Sequence, residues 1–184
     1  DSGRCSLLTR FDTALSLGPR LKQVWPFLLE AMQSDRNLTH LYQPFREAYA
    51  KVLADMQDWL NVHRPGQTCK MIEGLRSSAY QHQLWLKGRS NPGPIVTQKD
   101  GFTHKSNHQS GLAADIGIFA HNGSYIEEPD QETMVYYGLL VRYHHLTWGG
   151  SWVTFVDQPH AEWPTTDQTT YTHANQWLRE EGLQ

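Results

Sequence analysis

The chain has 184 residues, a hydrophobic share of 39% and seven tryptophans, which is enough apolar material for the core of one domain. Its formal net charge of −3 argues against nucleic acid as the main partner, because nucleic-acid binding favours a basic face. No apolar run approaches the about 18 residues of a membrane span. No signal peptide is visible, although a start at Asp1 rather than Met is compatible with a leader that has been removed.

Cys5 and Cys69 are the two cysteines of the chain. Two cysteines do not make a disulfide scaffold, and neither lies in a CxxC motif. Free thiols are the favoured interpretation, with a Cys5–Cys69 pair as the alternative. A thiolate zinc site is therefore not expected.

The first third of the chain, residues 1–64, is predicted to be helical. Apolar residues recur at three- and four-residue steps in three runs, and the third run predicts a helix over residues 44–62. A short strand over 71–77 and a helix over 78–86 follow. Residues 112–119 have strand character.

The last third alternates between predicted helices and strands. A helix is predicted over 132–145. Its inward-facing side chains are expected to be Val135, Leu139, Leu140 and Tyr143. A strand over 152–156 is expected to lead into Asp157 and His160. A final helix is predicted over 170–181. Its packed side chains are expected to be Tyr171, Ala174 and Trp177.

Two histidines and an aspartate stand in a pattern typical of a metal site. His108 and Asp115 flank the start of the predicted strand over 112–119, and His160 follows the strand over 152–156. An aspartate in so apolar a run is unfavourable unless something compensates its burial, and a metal ion would do so. Two histidines and one carboxylate are enough ligands for a zinc ion with one open position. The alternative is that Asp115 caps a turn and both histidines are surface residues.

Three further polar residues are candidates for catalysis. Asp157, three positions before His160, could act as general base on a metal-activated water, or cap a turn before the following proline. Glu162 is the second candidate for the base, or a neighbour that orients His160. Arg76 suits a substrate carboxylate or a developing oxyanion, with a surface salt bridge as the alternative.

Several other hydrolase and nucleotide-binding classes are disfavoured. The chain has no Gly-x-Ser-x-Gly elbow and no HExxH helix, so neither a serine hydrolase nor a thermolysin-type site is indicated. It also lacks a phosphate-binding loop and a dinucleotide fingerprint.

The residue pattern resembles that of the M15 peptidases, the group of D-alanyl-D-alanine carboxypeptidases and L-alanyl-D-glutamate endopeptidases. The resemblance covers about residues 41–163 and is strongest to the phage endolysin-like branch. It rests on the motif Ser106-x-His108-x-x-Gly111-x-Ala113-x-Asp115, on Asp157-x-x-His160, and on segments 73–77, 88–89, 95–97 and 148–152.

The resemblance implies a fold and a set of site residues. The fold is α+β, a small central antiparallel sheet flanked by helices, as in lysostaphin-type enzymes and the hedgehog domain. The implied roles are His108, Asp115 and His160 as zinc ligands, Asp157 as catalytic base, and Arg76, Ser106 and Gln81 as residues that contact substrate or stabilise the transition state.

The family pattern also sets the expected domain boundaries. Residues 41–184 would form the zinc peptidase domain, and residues 1–40, which have no counterpart in the family, an N-terminal helical extension. Aspartate rather than glutamate at position 157 departs from other members and fits the endolysin-like branch.

The resulting hypothesis is a zinc peptidase that hydrolyses the peptide stem of bacterial peptidoglycan at the L-Ala–D-Glu bond. A D-alanyl-D-alanine carboxypeptidase and a non-catalytic zinc-fold binding module are the alternatives. We expect a monomer without a nucleic-acid partner. Its location is open between a phage-encoded cytoplasmic enzyme released to the cell wall and a periplasmic or secreted enzyme.

Overall fold

The computed structural model describes residues 35–164 and 168–184. Within them the chain forms four α-helices and one four-stranded antiparallel sheet, so the predicted α+β class is confirmed. The helices are α1 (Gln43–His63), α2 (Ser78–Leu86), α3 (Gln131–Tyr143) and α4 (Gln168–Glu180). The strands are β1 (Thr68–Glu73), β2 (Ala113–Phe119), β3 (Thr147–Trp148) and β4 (His160–Glu162). The helices predicted before residue 35, and most of the expected extension, lie outside the described residues.

The sheet has the strand order β1-β2-β4-β3, with every neighbouring pair antiparallel. β2 therefore lies in the interior of the sheet and pairs with β1 on one side and β4 on the other. The register aligns Glu73 of β1, Asp115 of β2 and His160 of β4 across three adjacent strands. Paired residues of adjacent strands lie on the same face, so this row brings three polar side chains together.

The other face of the sheet carries the hydrophobic core. The two-residue period of β2 turns Ala114, Ile116 and Ile118 into this core. α1 supplies the largest buried stripe, at helical spacing, and α3 packs beside α1. The buried residues of α1 are Phe45, Tyr49, Val52, Met56, Trp59 and Leu60. The helix predicted over 44–62 is thus present with the apolar face that its sequence indicates.

The predicted inward face of α3 is wrong, apart from Leu140. Leu139 and Tyr143 are 52% and 74% exposed, and Val135 also faces outward. The helix carries apolar residues on two sides. Close packing at its glycine, Gly138, determines which side is buried. Gly138 lies against the Trp148 ring so closely that a Cβ would fall 2.4 Å from ring atoms. The buried residues are instead Thr133, Met134, Tyr137, Gly138, Leu140 and Val141.

The predicted strand over 152–156 is also wrong. This segment is a series of bends, and Val153 is 96% exposed. A strand requires a neighbour for its backbone groups, and here β3 already pairs with β4. The chain loops out after Gly149 and returns where the Asp157 amide donates to the Gly149 carbonyl at 3.1 Å. His160 is therefore delivered by β4 itself.

Other boundaries differ by a few residues. β1 begins before the predicted strand over 71–77 and ends at Glu73. α2 coincides with the predicted helix over 78–86, and α4 begins two residues before its predicted start. In α4, Ala174 and Leu178 are buried, whereas Tyr171 and Trp177 are half-buried.

The described residues also bear on the expectations about membrane spans and cysteines. No helix among them combines the length and the hydropathy that crossing a membrane requires. Cys69 carries a free thiol, and burial raises its pKa to about 12. Cys5 lies outside the described residues.

Asp130 is predicted to contribute stability in a pH-dependent way. Its carboxylate caps α3 through the Thr133 amide at 3.0 Å and pairs with the Arg64 guanidinium at 2.9 Å. Arg64 holds the pKa of this carboxyl well below its usual range. A depressed folded-state pKa stabilises the protein above the unfolded pKa of about 3.9, and the contribution is lost as the pH falls through the folded-state pKa.

Two substitutions of Asp130 should distinguish the stability that comes from its helix-capping hydrogen bond from the stability that comes from its charge. Asp130→Ala should lower the free energy of unfolding at pH 7 by about 1 kcal/mol, the usual cost of losing a helix cap. Asp130→Asn keeps a capping oxygen and should cost less, since the half-exposed ion pair is screened. Urea unfolding between pH 7 and 2.5 should show the gap between wild type and Asp130→Asn shrinking below about pH 4. A gap that stays constant would contradict the role of the charge.

Candidate metal centre and active site

His108, Asp115 and His160 converge on one point in the structure. One ligand atom from each lies within 4.8 Å of the others. His108 Nε2 is 3.2 Å from His160 Nδ1, and Asp115 Oδ1 is 3.0 Å from His160 Nδ1 and 3.5 Å from His108 Nε2. The three side chains expose between 1% and 13% of their surface. The interpretation as two surface histidines and a turn cap does not fit this arrangement.

Local backbone structure brings His108 to the sheet. It lies in a single 3-10 turn, Asn107–Ser110, that ends at Gly111 with φ of 63°. This left-handed conformation favours glycine, and a Cβ at Gly111 would lie 3.1 Å from the Tyr42 amide nitrogen. The chain then enters β2, which carries Asp115 beside His160 of β4.

Each imidazole is oriented by a hydrogen bond on its outer nitrogen. His108 Nδ1 lies 2.8 Å from the carbonyl oxygen of Gly74, to which it donates, and this leaves Nε2 as the acceptor nitrogen. His160 Nε2 lies 3.1 Å from Glu162 Oε2, to which it donates, and this leaves Nδ1. The other ring nitrogens, His108 Nε2 and His160 Nδ1, therefore face each other, as ligation of one ion requires.

The residues fit a zinc ion. Ligand atoms 2.0–2.1 Å from a tetrahedral zinc lie about 3.3 Å from one another. The three donor separations, 3.0, 3.2 and 3.5 Å, bracket this value. Two imidazole nitrogens and one carboxylate oxygen are a donor set that zinc accepts, with a fourth position left for water or substrate.

Charges around the cluster favour the metal-binding forms of Asp115 and His108, but they favour a protonated His160. Burial alone would raise the pKa of Asp115, but His108, His160 and Arg76 outweigh it and hold that pKa well below its usual range. Burial, helped by Arg76, lowers the pKa of His108 and favours the neutral ring. Burial also disfavours a charged His160, yet its bonds to Asp115 and Glu162 raise its pKa to about 9. A metal ion at this ring therefore competes with a proton.

Asp157 lies beside the cluster and lines the same groove. Its backbone links the loop over 152–156 to β4, because its carbonyl accepts a hydrogen bond from the His160 amide at 3.3 Å. Burial, followed by the nearby charge of Asp115, raises the pKa of Asp157 to about 6. A carboxylate with a pKa in this range is a better proton acceptor than an ordinary one.

Arg76 contacts Asp115 on the carboxylate oxygen that does not face the two histidines. Its Nη2 donates to Asp115 Oδ2 at 2.8 Å and also to Glu73, and its Nη1 donates to Gln81 Oε1 at 3.2 Å. Gln81 has no exposed surface, and its amide nitrogen donates to Thr97 Oγ1 and to the Lys99 carbonyl. Gln81 therefore supports Arg76 from within the protein.

Ser106 precedes the 3-10 turn and lines the groove. Its amide donates to Gln109 Oε1 at 3.0 Å, and Gln109 in turn donates to the Gly101 carbonyl at 2.8 Å. The buried Gln109 thus fixes the polar loop beside the site. Of the three expected substrate contacts, Arg76 and Ser106 line the groove.

The structure also places residues at the site that sequence reasoning did not select. Glu73 accepts hydrogen bonds from Arg76 and from the Tyr80 hydroxyl. Asn107 and Tyr171 reach Glu162 through hydrogen bonds, and Tyr171 was expected only to pack. The signal for Asn107 was its position beside His108. Glu73 stood out only as part of the family-like segment 73–77, and Tyr171 gave no signal, because only the docking of α4 brings it close.

The centre lies in an open groove of about 690 Å³. Lys87, Lys99 and Lys105 contribute positive charge to its lining. Trp152 and Phe155 contribute aromatic surface from the looped-out segment, and the Trp152 ring lies 5.0 Å from the His160 ring. The groove therefore has both charged and apolar contact surface.

Comparison with known proteins points to one family. A family model of M15 peptidases, described as D-alanyl-D-alanine carboxypeptidase, matches residues 100–163. Over 99 residues the chain is 32% identical to the peptidoglycan L-alanyl-D-glutamate endopeptidase CwlK of Bacillus subtilis. Residues 100–163 of the chain are thus similar to the M15 peptidase family. The segment matched by the M15 model contains the three candidate ligands and Asp157, whereas Arg76 and Tyr171 lie outside it.

The extent of these matches is partial. The alignment with CwlK covers 50% of this chain and 58% of the relative, so the chain spans less than two thirds of the length of CwlK. The structure is also similar to the L-Ala D-Glu endopeptidase ChiX of Serratia marcescens, with a TM-score of 0.48 and 22% identity. That likeness covers 72% of this chain and 87% of ChiX.

The metal-ligand assignment predicts a clear loss of zinc on substitution. Wild-type protein should bind one zinc per chain, and His108→Ala or His160→Ala should weaken binding strongly, since each removes one of three donors. His104→Ala, four residues from His108 but exposed, is the matched control and should bind normally. Elemental analysis after dialysis against a chelator gives the stoichiometry. A full equivalent of zinc in His108→Ala would contradict the assignment.

Proposed function

We propose that this chain is a zinc-dependent peptidase that hydrolyses the peptide stem of bacterial peptidoglycan at the L-Ala–D-Glu bond. The observation that carries this proposal is the buried convergence of His108, Asp115 and His160 at the floor of a groove open to solvent. The relative named as an L-alanyl-D-glutamate endopeptidase supports the choice of bond.

The three ligands and Arg76 would act together to hold the metal. When bound, zinc would polarise the scissile carbonyl and lower the pKa of a water molecule. Asp115 offers Oδ1 to the centre while Arg76 binds Oδ2 at 2.8 Å. This ion pair keeps the buried carboxylate charged and fixes its rotation. We therefore assign Arg76 a positioning role for Asp115, in addition to the substrate contact expected from its family position.

Asp157 would move the proton in this reaction. A base beside the metal ligands can take a proton from the attacking water and pass it to the leaving amine. The pKa of about 6 keeps Asp157 ionised at neutral pH, so it can accept a proton. Ser106 lines the same groove and is a candidate for binding the substrate backbone.

Three lysines in the groove lining offer contacts to an acidic group of the substrate. Lys87, Lys99 and Lys105 line it, and none of them forms an ion pair with another described residue. A substrate with a glutamate next to the scissile bond presents a carboxylate to this lining. Such contacts would hold the substrate in register with the centre, although each exposed pair adds little affinity.

A D-alanyl-D-alanine carboxypeptidase is the second candidate. The description of the matching M15 model favours it, and the centre would serve either bond. The two activities differ in whether the substrate ends immediately after the cleaved residue. Their products therefore distinguish them.

We further propose that residues 41–184 form the catalytic domain of a monomer with an endolysin-type lytic role. The described residues before 41 contact this domain near the centre, since the Asp35 carbonyl accepts a hydrogen bond from the Gly74 amide at 2.8 Å. The carbonyl of the same Gly74 orients His108.

Digestion of purified peptidoglycan with zinc-loaded protein tests the reaction. We expect new D-Glu amino termini, detected by end-group labelling and mass spectrometry, because the endopeptidase cuts on the amino side of D-Glu. Released free D-Ala would instead establish the carboxypeptidase. Binding to the wall with zinc retained and no products would overturn both and favour the binding module.

Replacing Asp157 tests the proton-transfer role. Asp157→Asn should lower kcat by about 10²–10⁴-fold, the range for loss of a general base, with zinc content unchanged. Asp130→Asn makes the same chemical change at the start of α3, outside the groove, and should keep full activity at pH 7. Unchanged turnover in Asp157→Asn would contradict the assignment.

A further inference from the structure

We propose that Asn107 and Tyr171 are positioning residues for the metal centre, holding Glu162 so that Glu162 orients His160. The final helix, α4, is then a structural part of the active site. This inference rests on the proposed role of His160 as a zinc ligand. Neither Asn107 nor Tyr171 belongs to the motif that identifies the centre.

The contacts form one continuous chain of hydrogen bonds. The Tyr171 hydroxyl donates to Asn107 Oδ1. Asn107 Nδ2 donates to Glu162 Oε2 at 2.7 Å, and His160 Nε2 lies 3.1 Å from the same carboxylate oxygen. A chain of four side chains therefore leads from α4 to the ring whose other nitrogen faces the centre.

The donors and acceptors of this chain allow one arrangement. A carboxylate accepts only, so both Asn107 and His160 must present an N–H to Glu162. Asn107 can do this only with its amide nitrogen toward Glu162 and its oxygen toward Tyr171. The flipped amide would place its oxygen against the Glu162 carboxylate, two acceptors together, so Glu162 disfavours it. The Tyr171 hydroxyl donates to the Asn107 oxygen and so stabilises the amide orientation that supports His160.

The fold places these side chains opposite one another. His160 and Glu162 are two residues apart in β4 and share a face. Asn107 and His108 are adjacent in the 3-10 turn, and they contact Glu162 and His160 respectively. One turn of backbone thus provides both a ligand and the group that fixes its partner ligand's orientation.

α4 is held in place by more than Tyr171. Ser110 Oγ, at the end of the same 3-10 turn, donates to Asn175 Oδ1 at 3.0 Å. Ala174 and Leu178 are buried on the same helix. Loss of the Tyr171 hydroxyl alone should therefore leave the helix docked, which makes Tyr171→Phe a test of the hydrogen bond rather than of folding.

Zinc affinity measured by competition with a chromophoric chelator tests the proposal on the full chain. Asn107→Ala and Glu162→Gln should weaken zinc binding about 10–100-fold, the usual cost of losing an outer partner of a ligand. Tyr171→Phe should weaken it by on the order of fivefold, as for one hydrogen bond. Tyr143→Phe, the same change on an exposed tyrosine of α3, is the matched control and should have no effect.

A double-mutant cycle separates positioning from a simple loss of packing. Because Tyr171 acts through Asn107, Tyr171→Phe should add little to the effect of Asn107→Ala. Nitrogen NMR of the zinc-loaded protein should show that the His160 Nε2–H signal shifts in Asn107→Ala and in Tyr171→Phe. Additive losses of zinc affinity from the two substitutions would overturn the proposal that Tyr171 acts through Asn107. Unchanged zinc affinity in both variants would overturn it too.

The groove-lining position of Tyr171 offers a competing role as a substrate contact. In that case Tyr171→Phe would raise KM with zinc affinity unchanged, a result that overturns the positioning role. Zinc affinity is measured without substrate, so a protein inactive on peptidoglycan still decides the matter. Wild-type protein that binds no zinc overturns both this inference and the proposed function.

Discussion

Burial of one carboxylate, that of Asp115, determines how the polar face of the sheet is built. Placing an ionised group in an interior strand is costly unless opposite charges and hydrogen bonds offset it. Arg76 binds one oxygen, and the other faces His108 and His160. Arg76 in turn is held by Glu73, the neighbour of Asp115 in the sheet register. The row of polar residues across the strands is thus one connected set of charges.

One face of β2 packs into the hydrophobic core, and the other face carries a residue of the candidate site. Ala114, Ile116 and Ile118 contribute to a core covered by α1 and α3, while Asp115 lies on the other face and lines the groove. At Gly117 a Cβ would lie 2.4 Å from the Ile72 side chain, so the strands beside the centre pack with no room for a larger residue. A strand fixed from behind in this way holds Asp115 in place, and the surrounding loops are free to shape the groove.

The cluster of His108, Asp115 and His160 could be predicted from sequence because these residues lie in short motifs, and the α+β class because those motifs resemble the M15 peptidases. Two features could not be predicted. The buried face of α3 depends on the fit of Gly138 against Trp148, a contact between distant segments. The segment 152–156 has strand composition but no neighbouring strand, since β3 occupies the edge beside β4. Arg76 was singled out by its polar surroundings, yet its pairing with Asp115 follows only from the sheet register.

The two imidazoles of the centre are oriented by different kinds of group, and this makes the centre asymmetric. A backbone carbonyl, that of Gly74, fixes His108, and no side-chain replacement removes it. A carboxylate fixes His160, and that carboxylate depends on Asn107 and, through it, on α4. One half of the centre is therefore set by the main chain of the sheet and turn. The other half is set by side chains, so of the two imidazoles His160 should be the more sensitive to substitutions of its neighbours.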